Sequence, residues 1–136
     1  MNSSGQRSKA EGQSKIESFE DLLVWQKSIS LVETLYEITA KFPAEEKFNL
    51  TSQLRRAAVS VPSNIAEGYS RKSLGDYIRF LLISVGSLAE IKTQLVIANR
   101  LNFLGNESMA VIKEKIVEID KMLRALVKSL EKFKIT

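Results

Sequence analysis

The sequence contains no histidine and no cysteine, and it has few residues that interrupt helices. Without imidazole or thiolate groups it cannot form a Cys/His zinc site, a disulfide, a Cys–His nucleophile pair or the Glu-x-x-His ligand set of ferritin-like di-iron bundles. It has two prolines, six glycines and no run of about 18 apolar residues, the length that a membrane-spanning helix needs. We therefore expect a soluble, cytoplasmic protein without a cofactor, a metal or a membrane segment.

The composition that remains is that of a small basic globular protein. The chain has 136 residues, of which 44% are hydrophobic, and its 20 Lys and Arg against 16 Asp and Glu give a formal charge of +4. This length favours one domain, and the apolar fraction is sufficient for a core. A modest positive charge is compatible with phosphate-containing partners but does not identify one.

Residues that cap or terminate helices divide the chain into a polar tail, 1–17, which we expect to be flexible, and a domain of four helices, 18–136. Serine followed three residues later by aspartate predicts helix starts at Ser18 and Ser73, and Asn106 is a third candidate cap. Pro43, Gly68 and Gly105 are candidate stops, whereas Pro62 requires a kink or a restart inside the second helix. The predicted helices cover about 18–41, 45–67, 73–102 and 106–134.

The apolar spacing predicts how these helices pack. In the fourth helix, apolar residues repeat at alternating intervals of three and four from Met109 to Phe133, which is typical of near-antiparallel packing. With short connections, the fold class predicted is all-α, an antiparallel up-down-up-down four-helix bundle. The third helix is apolar nearly all round over 77–85, so it is either the most enclosed helix or it faces another subunit.

A polar stripe beside the apolar face of the second helix, with a similar face on the third, has two interpretations. Its members are Gln53, Ser60, Asn64, Glu67, Ser87 and Glu90. We interpret it as a structural seam of hydrogen-bonded side chains that fixes helix register or a subunit contact. The alternative is an enzyme in which Glu67 and Glu90 form a catalytic carboxylate pair, with or without Mg²⁺.

Basic residues form two local clusters, which are the candidate nucleic-acid-binding residues. The first, around the bend between the second and third helices, is Arg55, Arg56, Arg71, Lys72 and Arg79. The second, on the fourth helix, includes Arg124, Lys128 and Lys132. A concentrated positive field favours phosphate contact, although charged faces near a helix C-terminus also occur for structural reasons. Arg56 is alternatively a partner for Glu67 in the seam.

The segment Val59-Ser-Val-Pro-Ser-Asn-Ile-Ala-Glu-Gly68, preceded by Leu50 to Ala58, resembles a known family. Further motifs of the same family are Phe19 to Lys27, Phe42-Pro43 and Gly86-Ser-Leu-Ala-Glu90. The chain thus resembles the proteins encoded in intervening sequences of bacterial large-subunit ribosomal RNA genes. The resemblance implies a bacterial four-helix bundle, a ring-like homopentamer and no established catalytic activity. The same broad family includes accessory variability proteins of diversity-generating retroelements, which bind a reverse transcriptase and its template RNA.

The function predicted from these observations is that of a non-enzymatic, homo-oligomeric bundle. We expect it to bind RNA or DNA phosphates non-specifically and to act as an accessory scaffold for a nucleic-acid-processing partner, such as a reverse transcriptase. The alternative is a protein–protein interaction module, encoded in a ribosomal RNA intervening sequence, that does not bind nucleic acid.

Overall fold

Four helices make up the fold of the part of the chain that the computed structural model describes, residues 15–135, with side chains to Phe133. The helices are α1 (Leu23–Thr39), α2 (Leu50–Tyr69), α3 (Leu74–Arg100) and α4 (Asn106–Ile135). Single 3-10 turns precede α1 and α2, at Phe19–Asp21 and Ala44–Glu46. Most of the predicted tail, 1–14, lies outside the described residues.

The four helices surround one core. Each packs against two neighbours, α1 on α2, α2 on α3, α3 on α4 and α4 on α1, and the short connections make neighbours antiparallel. The fully buried side chains lie at helical spacing on all four helices: Leu31, Leu35, Leu54, Val61, Ile65, Leu81, Leu88, Ile91, Leu95, Ile112, Ile119 and Leu123. The described residues contain no strand, and the fold is the all-α four-helix bundle that the sequence predicts.

The predicted apolar repeat of α4, from Met109 to Phe133, is buried along most of its length and then rotates away from the core. Every residue of the repeat from Met109 to Leu123 is buried, but Leu126 is only half-buried, Val127 takes its place in the core, and Phe133 is 66% exposed. A straight helix has 3.6 residues per turn, so a pattern with a period of 3.5 drifts around it. The last two turns of α4 therefore present a partly apolar surface.

Several predicted helix ends differ from those observed. Ser18 and Asp21 do form a capping box, but it closes the short turn Phe19–Asp21, and α1 begins only at Leu23. The start of α2 lies at Leu50 instead of Glu45, where the Glu46 carboxylate accepts a hydrogen bond from the Leu50 N–H (3.2 Å). That carboxylate satisfies one of the unpaired donors at the helix start.

The end of α3 is formed by Asn102 and not by the predicted Gly105. Asn102 has a φ of 65°, a left-handed conformation that asparagine tolerates better than most residues. The Phe103 N–H donates to the carbonyl of Ala98 (2.9 Å) and the Asn102 N–H to that of Asn99 (3.1 Å), which is the Schellman pattern. Asn106, predicted as a cap, is the first residue of α4, and its Oδ1 accepts from Asn99 Nδ2 (3.0 Å).

Pro62 and Gly68 both lie inside α2. The helix continues through Pro62 without restarting and ends at Tyr69, one residue beyond the glycine predicted to terminate it. Gly68 is buried against α3, and a Cβ built there would lie 2.9 Å from Cβ of Phe80 and 3.1 Å from Cδ1 of Tyr77. Close packing of two helices, not a turn, therefore accounts for this glycine.

Helix α3 combines a core face with an unusually apolar outer face. Ser84, Leu88 and Ile91 are buried, but Leu82 and Ile83 remain 48% and 40% exposed. Among the described helices, α3 alone is long and apolar enough to cross a membrane, by length and composition only. Because α3 packs on both α2 and α4, it is an integral bundle helix with an exposed apolar face.

Candidate nucleic-acid interface

The polar seam joins α2 and α3 at the middle of the bundle. The Ser60 and Ser87 hydroxyls share a hydrogen bond of 2.8 Å, and Asn64 Nδ2 donates to the carbonyl (2.8 Å) and the hydroxyl (2.9 Å) of Ser60. Ser84, which is fully buried, donates to the carbonyl of Val61 (2.8 Å). These contacts hold two helix backbones at a fixed register, as expected for buried polar groups that find partners.

Ser84 is part of this seam but is absent from the predicted set. The signal was present in the sequence, because Ser84 is the one hydroxyl in the otherwise apolar stretch from Phe80 to Val85 and precedes Ser87 by three residues. On a helix this spacing places both hydroxyls on the same face. A lone hydroxyl inside an apolar run therefore indicated a cross-helix hydrogen bond.

The other predicted seam residues lie at the surface. Gln53 and Glu90 are exposed and line a groove of about 280 Å³ between α2 and α3, together with Arg56, Ala57, Ser60 and Gln94. Gln94 Oε1 is buried in this region without a hydrogen-bond partner among the described residues. The groove is a polar gap next to the seam.

Glu67 and Glu90 do not converge. From the Ser60–Ser87 contact, Glu67 lies seven residues further along α2 and Glu90 three further along α3. The two helices are antiparallel, so the carboxylates are displaced in opposite directions and stand about 15 Å apart along the bundle axis. Among the described residues no cluster of three or more acidic groups is suited to a metal ion. This geometry disfavours the carboxylate-pair enzyme.

The first basic cluster is divided in the structure. Arg55 Nε donates to Thr39 Oγ1 (2.8 Å), and its guanidinium lies 4.4 Å from the ring centroid of Tyr36, so Arg55 joins α2 to α1. Arg56 donates to the Ser52 hydroxyl (3.0 Å) and not to Glu67. Both arginines lie 13 or more residues before Tyr69, the end of α2, which is about 20 Å along the axis. They are therefore remote from the α2–α3 turn.

The other three residues of this cluster lie at or near the α2–α3 turn, and two of them contact one aromatic ring. The guanidiniums of Arg71 and Arg79 lie 4.9 and 4.5 Å from the ring centroid of Phe80. Arg71 also pairs with Glu67 (2.9 Å), and Arg79 approaches Asp76 (3.8 Å). Lys72 is exposed on the turn between them. Phe80 thus holds two guanidiniums beside a lysine, and cation–π contacts of this kind restrain the cations without neutralising them.

The local sequence explains why this arrangement forms. Ser73 accepts a hydrogen bond from the Asp76 N–H (3.1 Å) and caps α3, so that only four residues separate α2 from α3, which sets Arg71 and Lys72 in a tight turn. Gly68 lets α3 approach closely, and Tyr69 packs on Tyr77 with ring centroids 6.0 Å apart. Burial raises the pKa of the Tyr77 phenol, and the neighbouring Tyr69 raises it further, so Tyr77 remains uncharged and contributes packing.

The second basic cluster lies at the same end of the bundle. Arg124, Lys128 and Lys132 are exposed on the last turns of α4, and Arg124 pairs with Asp120 (2.9 Å). Helices α3 and α4 are antiparallel, and both Val85 and Arg124 line the groove between them. Arg79 lies about 9 Å from Val85 along the bundle axis, towards the α2–α3 turn. Lys128 lies about 6 Å from Arg124 in the same direction. The fold therefore places at one level two clusters that are far apart in the sequence.

We call this surface the basic end and define it as Arg71, Lys72, Arg79, Lys128 and Lys132, with Phe80 beneath the two arginines. The segments that form it, 67–80 and 121–133, contain seven bases and three acids. Its ion pairs are exposed at the surface, so each is worth less than about 1 kcal/mol and is readily exchanged for a phosphate. A guanidinium has five N–H donors, so one carboxylate contact leaves others available.

Comparison with known proteins gives a family for this bundle. The family model described as 23S rRNA-intervening sequence protein matches residues 20–125. A crystal structure of a protein of unknown function from the S23 ribosomal protein family, from Bacteroides thetaiotaomicron, is similar with a TM-score of 0.73 and 25% identity. The similarity covers 78% of this chain and 99% of that one. No protein with a curated description matches the sequence.

The family match spans most of the chain and includes α1 to α3 and the first two-thirds of α4. It covers both arginines of the α2–α3 turn, and neither match names an enzyme. The chain belongs to the family of 23S rRNA-intervening sequence proteins.

Proposed function

We propose that this protein is a non-enzymatic, homo-oligomeric bundle of the bacterial cytoplasm that binds the phosphates of RNA or DNA at its basic end. The observation that carries the proposal is the position of Arg71 and Arg79 over Phe80, with Lys72 exposed on the turn beside them. Phosphate contacts depend on the number and placement of cationic groups and are indifferent to base sequence. The arginines are held in place by Phe80 and remain exposed to solvent, which favours contact with a polyanion.

We expect phosphates to bind on one side only of this end of the bundle. The 3-10 turn before α1 lies at the same end and carries Glu20 and Asp21, and the Asp21 carboxylate is occupied by the N–H groups of Glu17 and Ser18. These acids would repel a phosphate backbone. Since α3 lies diagonally opposite α1 in the bundle, we infer that nucleic acid lies on the α3 side of this end, across the α2–α3 turn and the side of α4 next to α3.

Labelled RNAs of unrelated sequence test the phosphate-binding proposal. Their affinities for the full chain, measured by fluorescence anisotropy at low ionic strength, are expected to agree within about tenfold, since base contacts are what distinguish sequences. A preference of several orders of magnitude for one sequence would contradict binding through phosphates alone. If no RNA or DNA binds, and a pulldown after nuclease treatment still yields one protein partner, the alternative interaction module is correct.

We also propose that copies of the chain associate through the outer face of α3. Leu82 and Ile83 are half exposed next to each other, and Ile97 is 45% exposed on the same helix. Large apolar side chains grouped on one helix face favour contact with another protein surface. Closure into a ring requires this face to meet a different surface of the next copy, and the family resemblance implies five copies.

Replacing Leu82 and Ile83 with glutamate is expected to convert the oligomer to a monomer, because two charged groups would then enter each contact between copies without partners. The measurement is molar mass by light scattering. Val111→Glu is the control, because Val111 is 55% exposed on the outer side of α4 and should leave the oligomer intact. A wild-type chain that is monomeric at working concentration would contradict the association.

The scaffold role combines these two surfaces. An oligomer repeats the basic end in every copy, and repeated weak contacts raise the affinity for a long polyanion through effective concentration. We propose that the assembly presents nucleic acid to a nucleic-acid-processing partner, such as a reverse transcriptase.

A further inference from the structure

The groove between α3 and α4 has an apolar floor and a basic rim. It has a volume of about 370 Å³. Its floor is formed by Val85, Leu88, Ile116 and Val117, and the small residues Gly86 and Ala89 keep the α3 side low. Val117 is 44% exposed. Leu88 and Ile116 are core residues at 2% and 4% exposure, so the apolar surface that the chain leaves open on this floor is that of Val117 and, in part, Val85.

The charges of the rim are almost all positive. Lys92 stands on the α3 side, and Lys113, Lys121 and Arg124 stand on the α4 side. The acid of the rim, Asp120, is held by Arg124 (2.9 Å). The three lysines form no ion pair with any residue in the described part of the chain. The rim thus carries four bases and one acid around the groove floor.

Gly86 adds an independent observation. It lies in the middle of α3, and a Cβ built on it would meet nothing within 4 Å. A glycine inside a helix destabilises it relative to alanine. Packing within the chain gives no reason for that cost, unlike at Gly68. Gly86 lies four residues after Leu82, where the α3 face proposed for self-association borders the groove, and a glycine facing open space there is suited to the close approach of another backbone.

We propose that this groove binds an amphipathic helix of a partner protein, with apolar residues on one face and acidic residues on either side of it. From Lys113 to Arg124 the groove follows α4 for about 16 Å, which is three helical turns. A helix of that length presents apolar anchors at i, i+3 or i+4 and i+7, the usual mode of helix binding in a groove. The acidic flanks would complement the lysines of the rim.

The same features argue against nucleic acid as the occupant. A phosphate backbone would gain from the lysines but would have to lie against Val117 and its apolar neighbours, where its solvation is lost without compensation. An acidic amphipathic helix would cover the apolar floor with one face and pair its acidic residues with the lysines of the rim. The inference rests on the proposed scaffold role and gives the chemistry of the protein that the scaffold would hold.

The test uses a fluorescent synthetic helix of about three turns, with leucine at the anchor positions and glutamate on both flanks. A second peptide carries lysine in place of each glutamate. Fluorescence anisotropy with the full-length protein is expected to show binding of the acidic peptide, weakened by salt, and at least tenfold weaker binding of the basic one. Equal binding of the two peptides, or binding of neither, would overturn the proposal.

Two variants, each with a matched control, locate the binding site. Lys92→Glu with Lys113→Glu reverses both sides of the rim and is expected to reduce affinity for the acidic peptide about tenfold, since two attractive surface contacts are lost and two repulsive ones replace them. Lys41→Glu with Lys115→Glu makes the same change in net charge outside the groove and should have little effect. Val117→Asp should weaken binding as well, whereas Val111→Asp should not.

These variants also separate this proposal from the preceding one. RNA affinity of Lys92→Glu/Lys113→Glu is expected to match that of the Lys41→Glu/Lys115→Glu control. If RNA affinity falls with peptide affinity, the groove is a nucleic-acid site and the proposal is wrong. If the variant instead changes the molar mass of the assembly and the peptide does not bind, a second copy of this chain occupies the groove.

Discussion

Replacing Arg71 and Lys72 together with glutamate is expected to lower the affinity for RNA by about tenfold to hundredfold at low ionic strength. The change removes two phosphate contacts per copy and places like charge next to Glu67, the present partner of Arg71. The loss should be nearly equal for RNAs of different sequence, since phosphates carry no sequence information. Fluorescence anisotropy with two unrelated RNAs measures it.

A variant of equal net charge provides the control. Lys41→Glu with Lys115→Glu also reverses two bases, but Lys41 follows α1 and Lys115 lies in the first half of α4, both away from the basic end. If binding depends on position, this control retains most of the affinity. Equal losses in the two double variants would show that net charge alone drives binding. Thermal unfolding of both should confirm that they remain folded.

Gly68→Ala is expected to destabilise the bundle, and Gly86→Ala to stabilise it, although both glycines lie inside helices. At Gly68 the new Cβ would stand 2.9 Å from Cβ of Phe80 and 3.2 Å from the backbone oxygen of Tyr77. Overpacking of this kind costs about 1–3 kcal/mol, offset by up to about 1 kcal/mol of helix propensity. The free energy of unfolding, measured with urea, should therefore fall by about 1–2 kcal/mol.

Gly86→Ala reports on the intrinsic cost of a helical glycine, because the new methyl group meets open space. The expected gain in the free energy of unfolding is about 0.5–1 kcal/mol. The two variants also differ in function. Gly68→Ala displaces Phe80, which holds Arg71 and Arg79, and should weaken RNA binding, while Gly86→Ala should not. A stabilised Gly68→Ala variant would contradict the close approach of α2 and α3 at this point.

The fold could be predicted from the sequence because its strongest signals are local. The spacing of Met109, Ile112 and Ile116 determines which face of α4 is buried, and the observed burial agrees. Helix ends were less predictable. Gly68 and Gly105 both resemble stop signals, yet tight packing explains the first, and Asn102 supplies the left-handed residue that ends α3. A glycine can indicate either a helix end or a close contact between helices, and only tertiary contacts distinguish the two.

Which basic residues lie together in the candidate site could be recognised only from the tertiary structure. Sequence proximity grouped Arg55 with Arg71, but a continuous α2 separates them, and Arg55 is occupied by Tyr36 and Thr39 of α1. Conversely, Lys128 joins the α2–α3 turn only because antiparallel α3 and α4 bring them to one end. The stacking of two guanidiniums near Phe80 depends on the turn geometry and on Gly68, neither of which charge clustering reveals.

The salt dependence of RNA affinity for the wild-type chain tests phosphate binding most directly. Titration of labelled RNA at increasing ionic strength should give a logarithm of the association constant that falls linearly with the logarithm of salt concentration, with a slope that corresponds to several phosphates per assembly. The slope should become shallower by about one for each basic-end residue removed. Binding that is absent at low ionic strength, or unaffected by salt, would contradict the account.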